Sequence, residues 1–466
     1  MILGYPGSLH SHTEYSNLRL RDSINRGPEL IDYAIELGHE VIAITEHETV
    51  SNAIAIEEYY NKIKNKYPNF KVILGNEIYL CRDGLNQDNF IKGEDKYFHF
   101  ILLAKNLKGH EQIRELSTRA WMRSYITNKM RRVPTYYQDL IDIIGSEPGN
   151  VIGSTACLGG FLATKLLQWK EMDSSFVEAK NKFYEQILNW LKAINNIFGE
   201  GNFYLEMQPS LGEEQTFVNK EILKISNKLN IPYIITTDSH YLNKKDAPIH
   251  TAFLNSQDGD REVASFYETT YHMSDEEIRS FFNYLTEEEL QKAYANIINI
   301  KSKCEDYSLL KPLKIPSLKW KPVKKQYSIT EYQKYFKKIP NLELFYNSDF
   351  DGDRHMVNLI IDKFEEDKRL QTPEMYSEIN QNLDATWISS KVNKANWSAY
   401  YLNLQNILDV CWRAGSLVGP GRGSGVGFAL LYVLDLIQIN PLWETTRTFG
   451  WRLTAGSKAS SAWRQA

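Results

Sequence analysis

The stretch "LHSHTEYSN" (residues 9–17) places His10 and His12 one residue apart near the start of the chain. On an extended segment, side chains two positions apart point to the same side, so both imidazoles would face one ligand. For either histidine alone, a hydrogen-bonded residue near the core is the competing explanation. The other predicted strand ends decide between the two, because they carry side chains of the same kind.

Side chains that bind transition metals recur where other predicted strands begin or end. They are His47 in "AITEH", Glu77 in "LGNEIYL", His99 in "YFHFILLA", Cys157 in "GSTACLGG", and Asp238 and His240 in "TTDSHYL". Imidazole nitrogen, carboxylate oxygen and thiolate together suit zinc, manganese or iron better than calcium. In a parallel barrel, residues at the carboxyl ends of the strands converge on one face. The pattern therefore predicts a single metal cluster.

Strand and helix patterns alternate from the N-terminus to about residue 250. "RGPELIDYAIELGH" (residues 26–39) predicts a helix with Pro28 in its first turn and Gly38 at its end, and the buried strand "EVIAIT" follows at once. This alternation is typical of an α/β fold built on a parallel sheet or barrel. Beyond residue 260, charged helical segments replace the strands, which predicts a second, mainly helical region.

The composition fits a globular protein of two or three domains, with 42% hydrophobic and 24% charged residues among 466. A net charge of -4 means that any nucleic acid must be held by local basic patches. The four cysteines form no CxxC pair, which favours reduced thiols and a cytoplasmic location. The apolar run "VGFALLYVLDLIQI" is too short and too polar to span a bilayer, and no leader opens the chain. We therefore expect a cytoplasmic protein without a membrane partner.

A lysine-rich, proline-punctuated segment with interleaved aromatic residues follows at 311–338. It predicts either a solvated linker or a surface that follows a phosphate backbone and stacks bases. Downstream, "SDFDGDRHM" contains Asp349, Asp351 and Asp353, which are expected to form a polar turn and not a metal site.

In this order, the histidine, carboxylate and cysteine segments resemble the polymerase-and-histidinol-phosphatase (PHP) domain that opens the alpha subunit of bacterial DNA polymerase III. The resemblance implies a distorted (β/α) barrel whose metal shell holds up to three divalent ions, with zinc, manganese or magnesium as candidates. Carried over by position, the ligands would be His10, His12, Asp22, His47, Glu77, His99, Cys157, Asp238 and His240. Metals held in this way can activate water and polarise a phosphate ester. A filled shell favours 3'-5' exonuclease or phosphatase activity over a purely structural role.

Two positions depart from the usual pattern of that family. The family usually has aspartate before the histidine of its second motif, where this chain has Glu46. The longer carboxylate predicts a shifted contact around the metal shell, while His47 itself is retained. The family's first aspartate usually follows the serine closely, whereas "SNLRLRD" delays it to Asp22. Asp22 is therefore either a ligand or a surface residue.

A second motif, "VGPGRGSGVG" (residues 418–427), alternates glycines with Arg422 and Ser424 directly before an apolar helical run. Glycines allow backbone amides to approach an anion, and a helix N-terminus adds partial positive charge. The motif lacks the spacing of a P-loop or of a dinucleotide-binding fingerprint. Alone, it predicts either a triphosphate-binding loop or an ordinary glycine-rich turn.

The stretch that begins there, "GPGRGSGVGFALLYVLDLIQINPL", resembles the start of the palm of C-family DNA polymerases. The resemblance implies that the phosphates of an incoming nucleotide are bound by Gly421, Arg422, Gly423 and Ser424. The helical segments before it resemble the thumb of that family. The catalytic aspartates of the family come after this stretch and the chain does not reach them, so we expect no polymerisation by this chain alone.

We interpret the sequence as the N-terminal part of a DNA polymerase III alpha-type protein, of bacterial or phage origin, that is used in DNA replication. Its predicted regions are a PHP domain (1–260), a linker and start of the polymerase region (261–345), a thumb and partial nucleotidyltransferase-like palm (346–452), and an atypical tail (453–466). The expected partners are template-primer DNA, deoxynucleoside triphosphates and other replisome subunits. Two alternatives remain: an independent PHP-family phosphatase of small monoesters, and a metal-stabilised scaffold without catalysis.

Overall fold

The computed structural model describes residues 2–91, 94–127, 130–256, 265–320 and 322–442. The chain divides into two compact units, unit 1 (Met1–Leu310) and unit 2 (Lys311–Ala466). The functional regions predicted from the sequence remain predictions, and the predicted tail at 453–466 lies outside the described residues. In the described part of the chain, no helix has both the length and the apolar character needed to cross a membrane.

Nine described strands form the framework of unit 1. They are β1 (Val41–Ile44), β2 (Lys71–Cys81), β3 (Phe98–Ala104), β4 (Tyr125–Thr127), β5 (Met130–Arg132), β6 (Thr135–Tyr136), β7 (Val151–Ser154), β8 (Phe203–Met207) and β9 (Tyr233–Ile235). Seven of them form one sheet in the order β1-β2-β3-β7-β8-β9, with β6 paired to β2. The sheet curls into a half-barrel, as the resemblance implied. The other two, β4 and β5, pair only with each other in this part of the molecule.

The pairing directions in this sheet are mixed, whereas the strand and helix pattern predicted a parallel sheet. β1–β2, β2–β6, β7–β8 and β8–β9 are parallel, but β3 runs antiparallel to both β2 and β7. Apolar runs of this length look alike in either direction, so the sequence pattern cannot reveal the reversal. The reversal places His99, near the start of β3, opposite Tyr79 near the end of β2.

The opening stretch of the chain connects the two ends of the sheet. The amide of Thr45, just after β1, donates to the carbonyl of Ser11 at 2.8 Å. On the other side, the amide of His12 donates to the carbonyl of Ser239, after β9, at 2.9 Å. Backbone bonds on both sides hold this segment extended, so His10 and His12 are fixed against the sheet ends.

Ten α-helices flank the strands in the described part of unit 1. They are α1 (Gly27–Glu36), α2 (Ala53–Ile63), α3 (Leu107–Met122), α4 (Tyr137–Leu140), α5 (Phe161–Glu171), α6 (Val177–Phe198), α7 (Glu213–Leu229), α8 (Ala247–Asn255), α9 (Asp275–Phe281) and α10 (Glu287–Lys303). The prediction for α1 is confirmed, with Pro28 in the first turn and Gly38 in a left-handed conformation (φ 76°) just past the end. The sheet and most of these helices share a large apolar core, whereas α1 and α2 pack with β1 in a smaller one.

Unit 2 is helical in its described part, as predicted. Its helices are α11 (Ile329–Phe336), α12 (Asn341–Tyr346), α13 (Asp351–Glu366), α14 (Pro373–Asn393), α15 (Trp397–Arg413) and α16 (Ala429–Val433). Of the aspartates of "SDFDGDRHM", Asp349 lies in the expected bend, whereas Asp351 and Asp353 open α13. Asp353 accepts a hydrogen bond from the hydroxyl of Ser398 on α15, and acidic residues stabilise a helix start.

Three aromatic residues of the lysine-rich segment belong to the core of unit 2. Tyr332, Tyr335 and Phe336 on α11 are buried in it. Lys325 forms an ion pair with Glu331 at 2.7 Å, so this lysine is not left free for a phosphate backbone. These three rings therefore do not provide a base-stacking surface.

Candidate metal centre and glycine-rich loop

The nine side chains predicted as metal ligands lie together at one end of the half-barrel. We call the following set the metal cluster: His10, His12, Asp22, His47, Glu77, His99, Cys157, Asp238 and His240. They are contributed by the opening stretch, by β2 and β3, and by the segments that follow β1, β7 and β9. The prediction of one converging cluster required these side chains to lie close together, and in the structure they do.

Glu77 on β2 is the centre of the metal cluster. Its Oε2 atom lies 2.7 Å from His47 Nδ1 and 3.2 Å from His12 Nε2, and its Oε1 atom lies 2.6 Å from His99 Nδ1. The backbone pairing of β1 and β2 continues one bridge further, to His47 and Glu77. This extension of the ladder fixes the imidazole beside the carboxylate.

Two aspartates complete the carboxylate set. Asp238 Oδ1 lies 3.1 Å from the Nε2 atoms of both His10 and His12. Asp22 Oδ2 lies 3.2 Å from His47 Nε2 and 3.5 Å from His240 Nε2. Asp22 is buried, which excludes the alternative that it is a surface residue.

Cys157 and His99 form the edge of the cluster. The Sγ atom of Cys157 lies 3.3 Å from His99 Nδ1. Burial, followed by the negative charges of Asp238 and Glu77, raises the pKa of the thiol well above its usual value. The side chain of His99 is 25% exposed, whereas the side chains of Glu77 and Asp238 are at most 3% exposed. The cluster is therefore open to solvent beside His99.

The potential ligand atoms form three overlapping groups. In each group they lie within 4.8 Å of one another: His12, His47 and His240; His10, His12 and Glu77; and Glu77, His99 and Cys157. Shared members join the groups into one site, the arrangement expected of a multi-metal centre.

The hydrogen bonding of the cluster fits bound cations better than a closed polar network. Both carboxylate oxygens of Glu77, Oδ1 of Asp238 and Nε2 of His240 are buried and, among the described residues, face oppositely charged groups at 2.6 to 3.7 Å without an aligned hydrogen bond. Buried polar atoms without partners are costly, and such atoms call for an ion or water. Imidazole nitrogens with carboxylate oxygens and one sulfur are a donor set that divalent transition metals accept.

The charges of the cluster also favour bound cations. Burial favours the neutral form of Glu77, but His99 and His47 beside it hold its pKa well below the usual value. Burial also disfavours charge on His47, but Asp22 and Glu77 outweigh it and raise its pKa to about 9. Without a metal the carboxylates are thus balanced by protons on the imidazoles, and a divalent cation can take the place of those protons.

Backbone strain is concentrated at the cluster. Three non-glycine residues there have left-handed conformations: Glu48 after His47 (φ 55°), Ala156 before Cys157 (φ 57°) and Asp238 itself (φ 48°). Such conformations cost of order 1–3 kcal/mol each and persist where the surroundings impose them, typically at functional sites.

Glu206 on β8, which was not among the predicted ligands, supports the cluster. Its Oε1 atom accepts a hydrogen bond from His10 Nδ1 at 2.7 Å, and its Oε2 atom accepts one from Ser154. A carboxylate on the second nitrogen of a ligating histidine fixes the orientation and tautomer of the ring. The available signal was the single acidic residue in the otherwise apolar buried strand "FYLEM".

Glu46, the departure from the family pattern, also supports the cluster without entering it. Its carboxylate accepts hydrogen bonds from the Thr13 amide at 3.0 Å and from the hydroxyl of Ser16. Ser16 in turn contacts His12 Nδ1 at 3.0 Å. Glu46 thus makes polar contacts around the ligands, and the shift relative to the family's aspartate stays a prediction.

The glycine-rich loop, residues 418–427, has a different environment. Gly421 (φ 144°) and Gly423 (φ 69°) have conformations that side chains disfavour, and Gly419 and Gly423 border open space. Arg422 and Ser424 are exposed, and their side chains make no hydrogen bond to another described residue. The helix after the loop, α16, is short. The role of this loop in phosphate binding remains a prediction.

Comparisons with known proteins give separate matches for the region that contains the metal cluster and the region that contains the glycine-rich loop. Residues 8–210 match the model of the PHP domain, and residues 355–451 match that of the bacterial DNA polymerase III alpha NTPase domain. The chain is 37% identical to a DNA-directed DNA polymerase of Bacillus phage SPbeta over 464 residues, covering 93% of this chain and 34% of that protein. It is 26% identical to the DNA polymerase III subunit alpha of Borreliella burgdorferi, covering 93% of this chain and 33% of that protein.

A solved structure of an amidohydrolase from Chromobacterium violaceum covers 50% of this chain and 87% of its own, with 12% identity and a TM-score of 0.30. The chain spans about a third of the length of the polymerases that it matches. The chain therefore combines a region that matches the PHP domain with a later region that matches the DNA polymerase III alpha NTPase domain, and the relatives named above are phage and bacterial DNA polymerases.

Proposed function

We propose that unit 1 is a metal-dependent phosphoesterase that removes nucleotides from the 3' end of a DNA strand. The observation that carries this proposal is the set of three overlapping ligand groups, in which His12 belongs to two groups and Glu77 belongs to two. Up to three ions of zinc, manganese or magnesium would be held by the nine residues of the metal cluster. Divalent ions at such a site neutralise a phosphate and make water a stronger nucleophile.

The residues of the chain have separate parts in this reaction. Glu77 holds four imidazoles in position through contacts of 2.6 to 3.7 Å, and Glu206 orients His10. The low pKa of Glu77 and Asp22 keeps both carboxylates ionised and able to bind cations at neutral pH. In both groups burial works against ionisation and the neighbouring histidines outweigh it. The buried walls exclude bulk water, and the exposed edge at His99 admits the substrate.

The proposed setting of this reaction is a replicative DNA polymerase. Template-primer DNA and deoxynucleoside triphosphates would be the substrates of the complete enzyme, and other replisome subunits its partners, in the cytoplasm. The named polymerases among the relatives support this setting. Gly421, Arg422, Gly423 and Ser424 are proposed to bind the nucleotide phosphates.

Two other functions are compatible with parts of this description. A phosphatase of small monoesters could use the same metal cluster, but it has no evident use for unit 2, which matches a polymerase domain. A metal-stabilised scaffold would also need ligands, but not a cluster that opens to solvent at one edge. We therefore favour the exonuclease.

A metal analysis and a digestion assay test the proposal together. Purified chain is treated with chelator, reloaded with Mn²⁺ or Zn²⁺, and incubated with single-stranded DNA labelled at its 3' end. The proposal expects bound metal and release of the labelled nucleotide, both abolished in the His10→Ala/Asp238→Ala variant. Metal binding without release would favour the scaffold. Hydrolysis of para-nitrophenyl phosphate in preference to DNA would favour the monoester phosphatase.

A further inference from the structure

An open groove adjoins the exposed edge of the metal cluster. Its volume is about 540 Å³, and Leu158 and Lys96 are among the residues that line it. Leu158 directly follows Cys157, and Gly159 packs against the ring of His99. The groove therefore begins where the cluster opens to solvent.

Three lysines lie in or beside the groove. Lys96 and Lys170 line it, and Lys165 on α5 lies beside it, where its Nζ atom donates to Gln168 Oε1 at 3.0 Å. Among the described residues, none of the three has a carboxylate within ion-pair distance, although Glu171 and Glu214 also line the groove. Burial, and then repulsion from Lys96, lowers the pKa of Lys165. Cations that repel one another without an acidic partner suit an external anion.

Apolar side chains line the groove together with these cations. Leu158, Leu167 and Met172 contribute to its lining. A small phosphate ester held at the metal cluster would leave these residues unused. A single strand of nucleic acid presents regularly spaced phosphates together with apolar base faces, which matches both kinds of lining.

We propose that this lysine groove binds the nucleotides that precede the scissile bond of a single strand, so that the terminal phosphodiester lies at the metal cluster. The inference rests on the proposed exonuclease function and extends it, because it assigns the path of the strand and the residues that hold it. The bound segment is a polyanion of several nucleotides, and Lys96, Lys165 and Lys170 contact its phosphates.

The test compares two triple variants in the full chain. Lys96→Gln/Lys165→Gln/Lys170→Gln removes the groove cations. Lys62→Gln/Lys64→Gln/Lys66→Gln removes the same charge from exposed positions on and just after α2, which does not line the groove. Both are assayed with Mn²⁺ on a 3'-labelled ten-nucleotide strand and on bis(para-nitrophenyl) phosphate, at several salt concentrations.

We expect the groove variant to raise the KM for the strand about 10-fold. The slope of log KM against log salt should fall by about 2, since each lost phosphate contact on a single strand contributes roughly 0.7. Hydrolysis of bis(para-nitrophenyl) phosphate should stay within about twofold of the unmodified protein, and the α2 variant should resemble the unmodified protein on both substrates. Equal KM and salt slope in the two variants would overturn the groove.

A labelling experiment separates failure of the groove from failure of the proposed function. Lysine acetylation is followed by mass spectrometry with and without the ten-nucleotide strand, in the presence of chelator so that no turnover is needed. Protection of Lys96, Lys165 and Lys170 but not of Lys62 supports the groove even if no hydrolysis is found. Unchanged acetylation of the three, or equal protection by polyglutamate, would show that the groove is not a nucleic-acid site.

Discussion

The metal cluster of unit 1 and the glycine-rich loop of unit 2 differ in how far the surrounding protein supports their geometry. Glu77 alone contacts four histidines at 2.6 to 3.7 Å and is buried. In the glycine-rich loop, Gly419 and Gly423 border open space, and Arg422 is exposed. A buried cluster of this kind is organised before its ligand arrives, whereas an exposed loop must be ordered by its ligand.

The largest expected effect follows from removing the centre of the metal cluster. In Glu77→Gln the shape is nearly kept but the negative charge that faces four histidines is lost. Changes around metal ligands cost 10- to 100-fold in affinity or activity, and the shared ligand should cost more, so we expect a loss of more than about 100-fold in exonuclease rate. The measurements are turnover of 3'-labelled single-stranded DNA and bound metal by mass spectrometry.

Glu58→Gln, an exposed change on α2, is the matched control and should keep both rate and metal content. An unchanged circular dichroism spectrum would show that the Glu77→Gln protein folds. If this folded protein retained the full rate, the cluster would not be the catalytic centre.

The next effect in size concerns the support of the cluster. Glu206→Gln keeps an acceptor near His10 Nδ1 but removes the charge that accepts its hydrogen bond at 2.7 Å. We expect metal affinity to fall 10- to 100-fold, with the rate recovering at saturating metal, because the ligand itself is retained. Metal titrations monitored by activity and by calorimetry check this, with Glu185→Gln, at an exposed ion pair, as control. A lower melting temperature without a shifted titration would assign Glu206 to folding alone.

Much of the cluster could be predicted because its residues carry chemical identity that the sequence shows directly. His10 and His12 need only an extended backbone to face one ligand, and the structure has it. Asp238 reaches the same place from a left-handed conformation (φ 48°), which the sequence does not reveal. The reversed direction of β3 could not be predicted, because apolar strands have the same pattern in both directions. His99 is brought into the cluster from the start of its strand by that reversal.

One other difference had a usable signal, in the helical periodicity of the lysine-rich segment. Tyr332, Tyr335, Phe336 and Ile339 are buried, and their spacing of three, one and three residues is that of one helix face. This periodicity predicts core positions and not a base-stacking surface. In the glycine-rich loop, by contrast, the motif specifies backbone freedom without any side-chain partner, so the sequence alone predicts a conformation and not an assembled site.

Unit 1 and the glycine-rich loop should also differ in how strongly their stability depends on acid pH. His39 and His272 form a buried pair in unit 1, with ring nitrogens 3.0 Å apart, and Asp275 is the charged group facing His39. Burial lowers the pKa of His39 to about 4 and that of His272 well below its usual value. The unfolded chain, with histidine pKa near 6.5, therefore takes up protons first as the pH falls. The stability contributed by these neutral rings is present above about pH 6.5 and is lost toward pH 4.

In His39→Gln the fall in the free energy of unfolding between pH 7 and pH 4.5 should be smaller by about 2 kcal/mol than in the unmodified protein. Urea denaturation in chelator, followed by circular dichroism, measures it without a contribution from metal release. The glycine-rich loop contains no acidic residue or histidine, so an Arg422→Gln protein should keep the pH dependence of the unmodified protein. An unaltered pH dependence in His39→Gln would contradict the account of this pair.

The smallest effects come from a matched pair of glycines. A Cβ atom at Gly159 would lie 2.9 Å from the ring of His99, whereas one at Gly423 would meet nothing within 4 Å. Gly159→Ala must therefore displace a ligand of the metal cluster, and we expect a several-fold weaker metal titration in the activity assay. Metal affinity equal to that of the unmodified protein would show that the edge of the cluster is more compliant than its burial suggests.

Gly423→Ala should leave the metal titration unchanged, because Gly423 lies in unit 2 and not among the ligands. Its cost is confined to the backbone, since φ is 69° and a left-handed conformation disfavours alanine by about 1 kcal/mol. If the loop must adopt this conformation to bind phosphates, the same cost should appear as about fivefold weaker binding of a Mg²⁺-deoxynucleoside triphosphate in calorimetry. Equal affinity would mean that the bound loop does not use the left-handed conformation of Gly423. The ligand would then rebuild the backbone of the loop, and the loop would differ from the preorganised metal cluster even more than the structure suggests.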